Sequence, residues 1–69
     1  MTKVLVVDDE KEVVELIKFL LEKDGYQVSV ASSVFQAQGL LARSLPGLVI
    51  LDRKLPDKDG LEFCRELRS

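Results

Sequence analysis

Two short apolar segments end directly in carboxylates, and this pattern constrains the fold more than any other feature of the chain. The segment 4–7 is followed by Asp8 and Asp9, and the segment 48–51 is followed by Asp52. Runs of four residues rich in Val, Ile and Leu are too short for a helix and are typical of strands buried on both faces. Open parallel sheets bind ligands outside the carboxyl ends of their strands. We therefore expect these acids to form a site.

The clustered acids predict a bound metal ion. Neighbouring carboxylates repel one another unless a proton or a hard cation compensates their charge. Zinc is disfavoured because the chain has one Cys and no His. The absence of His also excludes Ser-His and Cys-His catalysis and a phosphohistidine in this chain. The pattern leaves one carboxylate available to react.

The rest of the chain alternates between strand and helix patterns and predicts one domain over 1–69. Strands are predicted at 3–7, 26–31 and 48–51, and helices at 10–23, 34–43 and 61–68. Strand two alternates apolar and polar residues, as a half-exposed edge strand does. Right-handed βαβ crossovers then give an α/β fold, a three-layer parallel sheet of order 2-1-3, with helix one on one face and the other helices on the opposite face. In this order Asp8, Asp9 and Asp52 meet at the topological switch point.

Composition and charge limit the cellular compartment and the classes of partner that we expect for this chain. The net charge of −2 predicts no general affinity for nucleic acid. The apolar runs are far shorter than a membrane span, and the first three residues leave no room for a signal peptide. A single cysteine, Cys64, cannot form an internal disulfide and fits a reducing compartment. We therefore expect a cytoplasmic protein that does not contact a membrane.

Two segments closely resemble the response-regulator receiver domain of two-component signalling. They are VVDDE at 6–10, which closes strand one, and LDRKLPDKDG at 51–60, which follows strand three. The resemblance runs from about Lys3 to the last residue. It implies a flavodoxin-like order and identifies the chain as a partial receiver fold, (βα)3.

The resemblance also implies a set of roles for individual residues. Asp52 would be the phosphoacceptor, attacking the phosphoryl group of a phosphohistidine on a sensor histidine kinase to give an acyl phosphate. Asp9 and Asp52 would bind Mg²⁺ directly, Asp8 would act through water, and the backbone carbonyl of Lys54 would be a further ligand. The chain would be a substrate of the kinase and not itself an enzyme.

The sequence also departs from the pattern of this family. A full receiver has five βα units, and no residue here corresponds to the Thr or Ser of strand four or to the Lys of strand five. Arg53 stands where an apolar residue is common. We therefore expect an impaired switch. The alternative is a half-receiver fragment, natural or engineered, that serves as a structural or oligomerising module. A haloacid-dehalogenase-like phosphatase is less favoured, because Lys54 occupies the position of its second Asp.

Strand three predicts self-association. Its outer edge has no partner in the order 2-1-3, and a bare apolar edge is a template for pairing with another chain. A twofold homodimer would pair strand three with its copy, antiparallel, in one six-stranded sheet. Exchange of the last helix between protomers is the other arrangement. Asp57 and Asp59 are expected to shape a loop or cap a helix rather than bind metal.

Overall fold

The computed structural model describes residues 2–52, 55, 57 and 59–68. Its elements, in chain order, are β1 (Lys3–Val7), α1 (Lys11–Lys23), β2 (Gln27–Ala31), α2 (Val34–Arg43), β3 (Leu48–Leu51) and α3 (Gly60–Arg68). The three strands are parallel and lie in the order β2-β1-β3. The predicted α/β fold with strand order 2-1-3 is therefore confirmed.

β1 is the central strand and sets the level at which the sheet ends. Val7, its last residue, lies opposite Ala31 of β2 and opposite Leu51 of β3. All three strands therefore end at the same height, and the residues that follow them lie at one edge of the sheet. Asp8 and Asp52 are two of these residues.

The two faces of β1 contribute to two separate cores. Val4 and Val6 pack against Val14 of α1, whereas Leu5 and Val7 belong to the cluster formed with α2 and α3. None of these four β1 side chains is more than 2% exposed. A strand buried on both faces is apolar at every position, which explains the uninterrupted run 4–7.

The prediction that β3 is buried on both faces is wrong. Leu48 is 51% exposed, and Val49, Ile50 and Leu51 are only half-buried. Within the described part of the chain β3 pairs with β1 alone, so one edge of the strand has no neighbour. The order 2-1-3 predicted this unpaired edge, but an apolar run alone does not show how completely the two faces of a strand are covered.

The ends of the elements follow from local hydrogen bonds. Gly25 has a φ of 92°, the left-handed geometry that favours glycine just after the end of a helix. The N–H of Tyr26 donates to the carbonyl of Leu21 at 3.1 Å. Tyr26 therefore completes the end of α1, and β2 begins one residue later than predicted. At α2, the side chain of Ser33 accepts a hydrogen bond from the N–H of Gln36 at 3.2 Å.

α3 attaches to the sheet through an aromatic side chain. Phe63 is 1% exposed and lies in the core between the sheet and α2. Cys64 of this helix is half-buried and Leu67 is 42% exposed. No helix among the described residues is long and apolar enough to cross a membrane.

Candidate metal centre

Three acids meet at the carboxyl edge of the sheet. Asp8, Asp9 and Asp52 each contribute one carboxylate oxygen, and these three oxygens lie within 4.8 Å of one another. Asp8 and Asp52 are half-buried, and Asp9 is exposed. The structure thus brings together the three carboxylates that the sequence placed at the switch point.

The sheet fixes the backbone on both sides of this group. The N–H of Asp8 donates to the carbonyl of Ala31 at 3.0 Å, and the N–H of Asp52 donates to the carbonyl of Val7 at 2.8 Å. These bonds continue the pairing of the strands past their last residues. Consequently, the Cα atoms of both acids are held by the strands and not by a loop.

A local turn orients Asp8 further. Its Oδ1 accepts a hydrogen bond from the N–H of Glu10 at 2.9 Å. Glu10 is the N-cap residue of α1 and makes no side-chain capping bond of its own. Asp8 therefore satisfies a donor at the start of α1 with one oxygen and leaves its second oxygen for other contacts. Residues 8–10 therefore set both the direction in which the chain enters α1 and the orientation of the Asp8 carboxylate.

The geometry suits a hard, oxygen-binding cation. Ligand oxygens around one Mg²⁺ lie roughly 3–4 Å apart, given metal–oxygen distances of about 2.1 Å in an octahedron. The spacing of the three carboxylates approaches this range, so small side-chain rotations would complete it. The three carboxylates are not enclosed, since Asp9 is exposed and the other two are only half-buried, and an open site of this kind lets Mg²⁺ keep several of its waters.

One predicted ligand cannot be placed, and one contact was not foreseen. Lys54, whose backbone carbonyl the resemblance implies as a ligand, lies outside the described residues. Asp57 was predicted to be a loop or capping acid, but its partner was not identified. Its two carboxylate oxygens accept hydrogen bonds from the N–H groups of Val34 and Phe35, each at 2.9 Å. The helix that it caps begins 23 residues earlier in the chain, and no local pattern could reveal that partner.

Comparison with solved structures shows the same architecture in several receiver domains. The BeF3-activated N-terminal receiver domain of Klebsiella pneumoniae RstA is 42% identical, with a TM-score of 0.90, over 96% of this chain and 56% of that one. The Thermotoga maritima response regulator TrrA, in complex with Mg²⁺-BeF, is 38% identical, with a TM-score of 0.92, over 99% and 59% of the two chains. A putative response regulator from Chloroflexus aurantiacus is 34% identical, with a TM-score of 0.94, over 99% and 56%.

The chain thus spans a little more than half the length of the solved structures that it matches. Its sequence also matches the family described as the response regulator receiver domain, over residues 4–69. The match includes both acidic segments, all of β2 and β3, and all of β1 except its first residue. Because this match covers nearly the whole chain and the solved receiver domains are 34–42% identical to it, the chain belongs to the response-regulator receiver domain family.

Proposed function

We propose that this chain is a phosphoacceptor of two-component signalling and that Asp52 carries the phosphoryl group. A carboxylate oxygen of Asp52 would attack the phosphorus of a phosphohistidine on a sensor histidine kinase. The phosphorus–nitrogen bond breaks, the electron pair stays with the imidazole, and Asp52 becomes an acyl phosphate. The observation that carries the proposal is the approach of three carboxylates to within 4.8 Å at the switch point.

Each acid has a distinct part in the proposal. Asp52 is half-buried and its backbone is bonded to β1, so its side chain is presented from a fixed position. Asp9 and Asp52 would bind Mg²⁺ directly, Asp8 would act through water, and the carbonyl of Lys54 would add a ligand. Bound Mg²⁺ would offset the negative charge of both the carboxylate and the phosphoryl group. The Mg²⁺-BeF complex of the Thermotoga relative supports this choice of metal.

The chain would accept a phosphoryl group from the kinase and would not be an enzyme itself. We place this exchange in the cytoplasm and assign no nucleic-acid contact to the chain, consistent with its net charge of −2. We further propose that residues 1–69, taken by themselves, switch weakly. A switch needs an element with two stable arrangements that phosphorylation can bias, and none of these 69 residues corresponds to the family's Thr or Ser and Lys.

A small phosphodonor tests the assignment of Asp52. The protein is incubated with acetyl phosphate and Mg²⁺, and its intact mass is measured. We expect one added phosphoryl group on the parent and none on Asp52→Asn. Asp24→Asn is the matched control, because Asp24 is an exposed acid at the far end of α1, and it should be labelled like the parent. Equal labelling of Asp52→Asn, or no labelling of the parent, would contradict the proposal.

A second role, as a homodimer, is favoured by the outer edge of β3. Leu48 of β3 is 51% exposed, and the outer edge of this strand has no partner among the described residues. A bare apolar edge is a template for pairing with another chain. We propose that the outer edge of β3 pairs with its copy in an antiparallel, twofold arrangement. Burial of Phe63 within its own chain favours this arrangement over exchange of α3.

A further inference from the structure

We infer that Asp57 is a positioning residue for the metal and phosphoacceptor site. It would act by holding the segment that follows Asp52 against the amino end of α2. Asp57 itself is not assigned a contact with the metal or with the phosphoryl group. The inference rests on the proposed function, because it concerns how well the site binds Mg²⁺.

The contact between Asp57 and α2 is bidentate and charge-assisted. Its Oδ1 accepts from the N–H of Val34 and its Oδ2 from the N–H of Phe35, both at 2.9 Å. A carboxylate at a helix N-terminus also interacts favourably with the helix dipole. Bonds from backbone N–H groups to an ionised carboxylate are stronger than bonds between neutral groups. Asp57 is therefore firmly attached to an element that is distant in sequence.

α2 has a second, independent cap. The Oγ of Ser33 accepts a hydrogen bond from the N–H of Gln36. The Oε1 of Gln36 in turn accepts from the N–H and the hydroxyl of Ser32, at 2.9 and 3.0 Å. The start of the helix is thus stabilised from its own sequence as well as by Asp57. This second cap provides a control that weakens the helix without touching the segment after Asp52.

The two ends of the segment between Asp52 and Asp57 are both held. Asp52 is bonded to β1 through its N–H at 2.8 Å, and Asp57 is bonded to α2. Four residues lie between them in the sequence, and one of these, Leu55, packs against the core of α2 and α3. Fixing both ends of a short segment lowers the number of conformations that its backbone can adopt.

This restriction matters because the segment begins at Asp52, which is a proposed ligand of the metal. When Asp57 is replaced, the far end of the segment is released. Metal binding must then order more of the backbone that follows Asp52, and the affinity falls. By linkage, the reverse also holds: Mg²⁺ bound at the acids should stabilise the contact between Asp57 and α2.

The test compares Mg²⁺ dissociation constants of the parent, Asp57→Ala, Asp57→Asn and Ser33→Ala. Outer partners of metal sites commonly contribute 10–100-fold to affinity, so we expect roughly tenfold weaker binding for Asp57→Ala. Asp57→Asn keeps one acceptor oxygen and should lose less. Ser33→Ala should destabilise the fold and leave the affinity within about twofold of the parent, because it removes a cap without releasing the segment.

Each outcome has a defined meaning. Parent-like affinity in both Asp57 variants, checked as folded by circular dichroism, would overturn the inference and leave the proposed function intact. Equal weakening by Ser33→Ala would also overturn it, because helix capping alone would then account for the effect. If the parent binds no Mg²⁺, the proposed metal site fails, and the inference fails with it.

Amide hydrogen exchange gives a second, independent test of the coupling between the metal site and α2. In the parent and in Ser33→Ala, Mg²⁺ should slow the exchange of the Val34 and Phe35 amides. In Asp57→Ala these amides should exchange at the same rate with and without Mg²⁺. A parent that binds Mg²⁺ without any change at these two amides would contradict the coupling between the site and α2.

Discussion

Replacing Phe63 by Ala should remove a large part of the stability of this domain. Phe63 is the largest of the fully buried side chains described in the structure and is 1% exposed. It is also the only described side chain of α3 that is buried. Its loss would leave a cavity between the sheet, α2 and α3 and would weaken the packing of the whole last helix.

The expected effect can be estimated from the burial. A buried Phe covers about 150–250 Å², which corresponds to about 4–6 kcal/mol at about 25 cal/mol per Å². This range overlaps the 3–5 kcal/mol or so lost when core Phe residues are truncated to Ala. The 69 residues give a total stability of about 3–10 kcal/mol at about 0.05–0.15 kcal/mol per residue. The substitution thus removes a third or more of the free energy of unfolding.

Urea unfolding followed by circular dichroism measures this loss. Phe35→Ala is the matched control, because Phe35 is 80% exposed and its truncation should change the free energy of unfolding by less than about 0.5 kcal/mol. Phe63→Leu keeps most of the buried volume and should cost less than about 1.5 kcal/mol. Equal unfolding midpoints for Phe63→Ala and Phe35→Ala would refute the packing of α3 described above.

Three further predictions concern the backbone, the metal and the dimer. Gly39→Ala should stabilise the protein by up to about 1 kcal/mol, because an added Cβ meets nothing within 4 Å in the middle of α2. Gly25→Ala should destabilise the protein by about 1–2 kcal/mol, because φ is 92° there. Thermal melts of the two variants would test both signs. Mg²⁺ should raise the melting temperature of the parent more than that of Asp52→Asn, and equal shifts would refute the ligand assignment. Leu48→Lys should shift light scattering across a dilution series towards the monomer, whereas Phe35→Lys should not; a parent that is monomeric at every concentration would refute the dimer.

The sequence predicted the fold well where burial is complete. The segment 4–7 is apolar at every position because both faces of β1 are covered, and few structures besides a fully buried strand require such a short, unbroken apolar run. The alternation in β2 likewise predicted an edge strand, which the structure confirms. β3 was misjudged because its composition matches that of β1, whereas its half-burial depends on how many strands lie beside it. The composition of a strand shows that its side chains are apolar, but it does not show how many strands lie beside it.

In the site, too, features set by the local sequence could be predicted, and contacts between distant residues could not. Asp8, Asp9 and Asp52 could be predicted to converge because parallel strands end at a common edge, and the structure brings them together. The partners of Asp57 could not be predicted, because the contact joins residues 23 positions apart. The contact depends on the tertiary packing that brings Asp57 to the start of α2, and neither periodicity nor turn residues in the sequence reveal that packing. The sequence predicted that Asp57 would shape a loop or cap a helix, but it did not predict that the helix is α2.

The two sides of the site differ in rigidity, and this difference links the stability of the fold to the proposed chemistry. Asp8 follows β1, whose side chains at 4–7 are 0–2% exposed, whereas Asp52 follows β3, which is half-buried. Asp57, which follows β3 in the chain, is bonded to α2, a helix that packs on β1 and β2, and Phe63 of α3 lies in the same core as Leu5 and Val7 of β1. These two contacts add anchoring to the chain after β3, where the sheet provides less of it. If this is correct, losing either anchor should weaken Mg²⁺ binding before it abolishes folding. The acids alone then do not determine affinity, because their spacing depends on packing that lies outside the site.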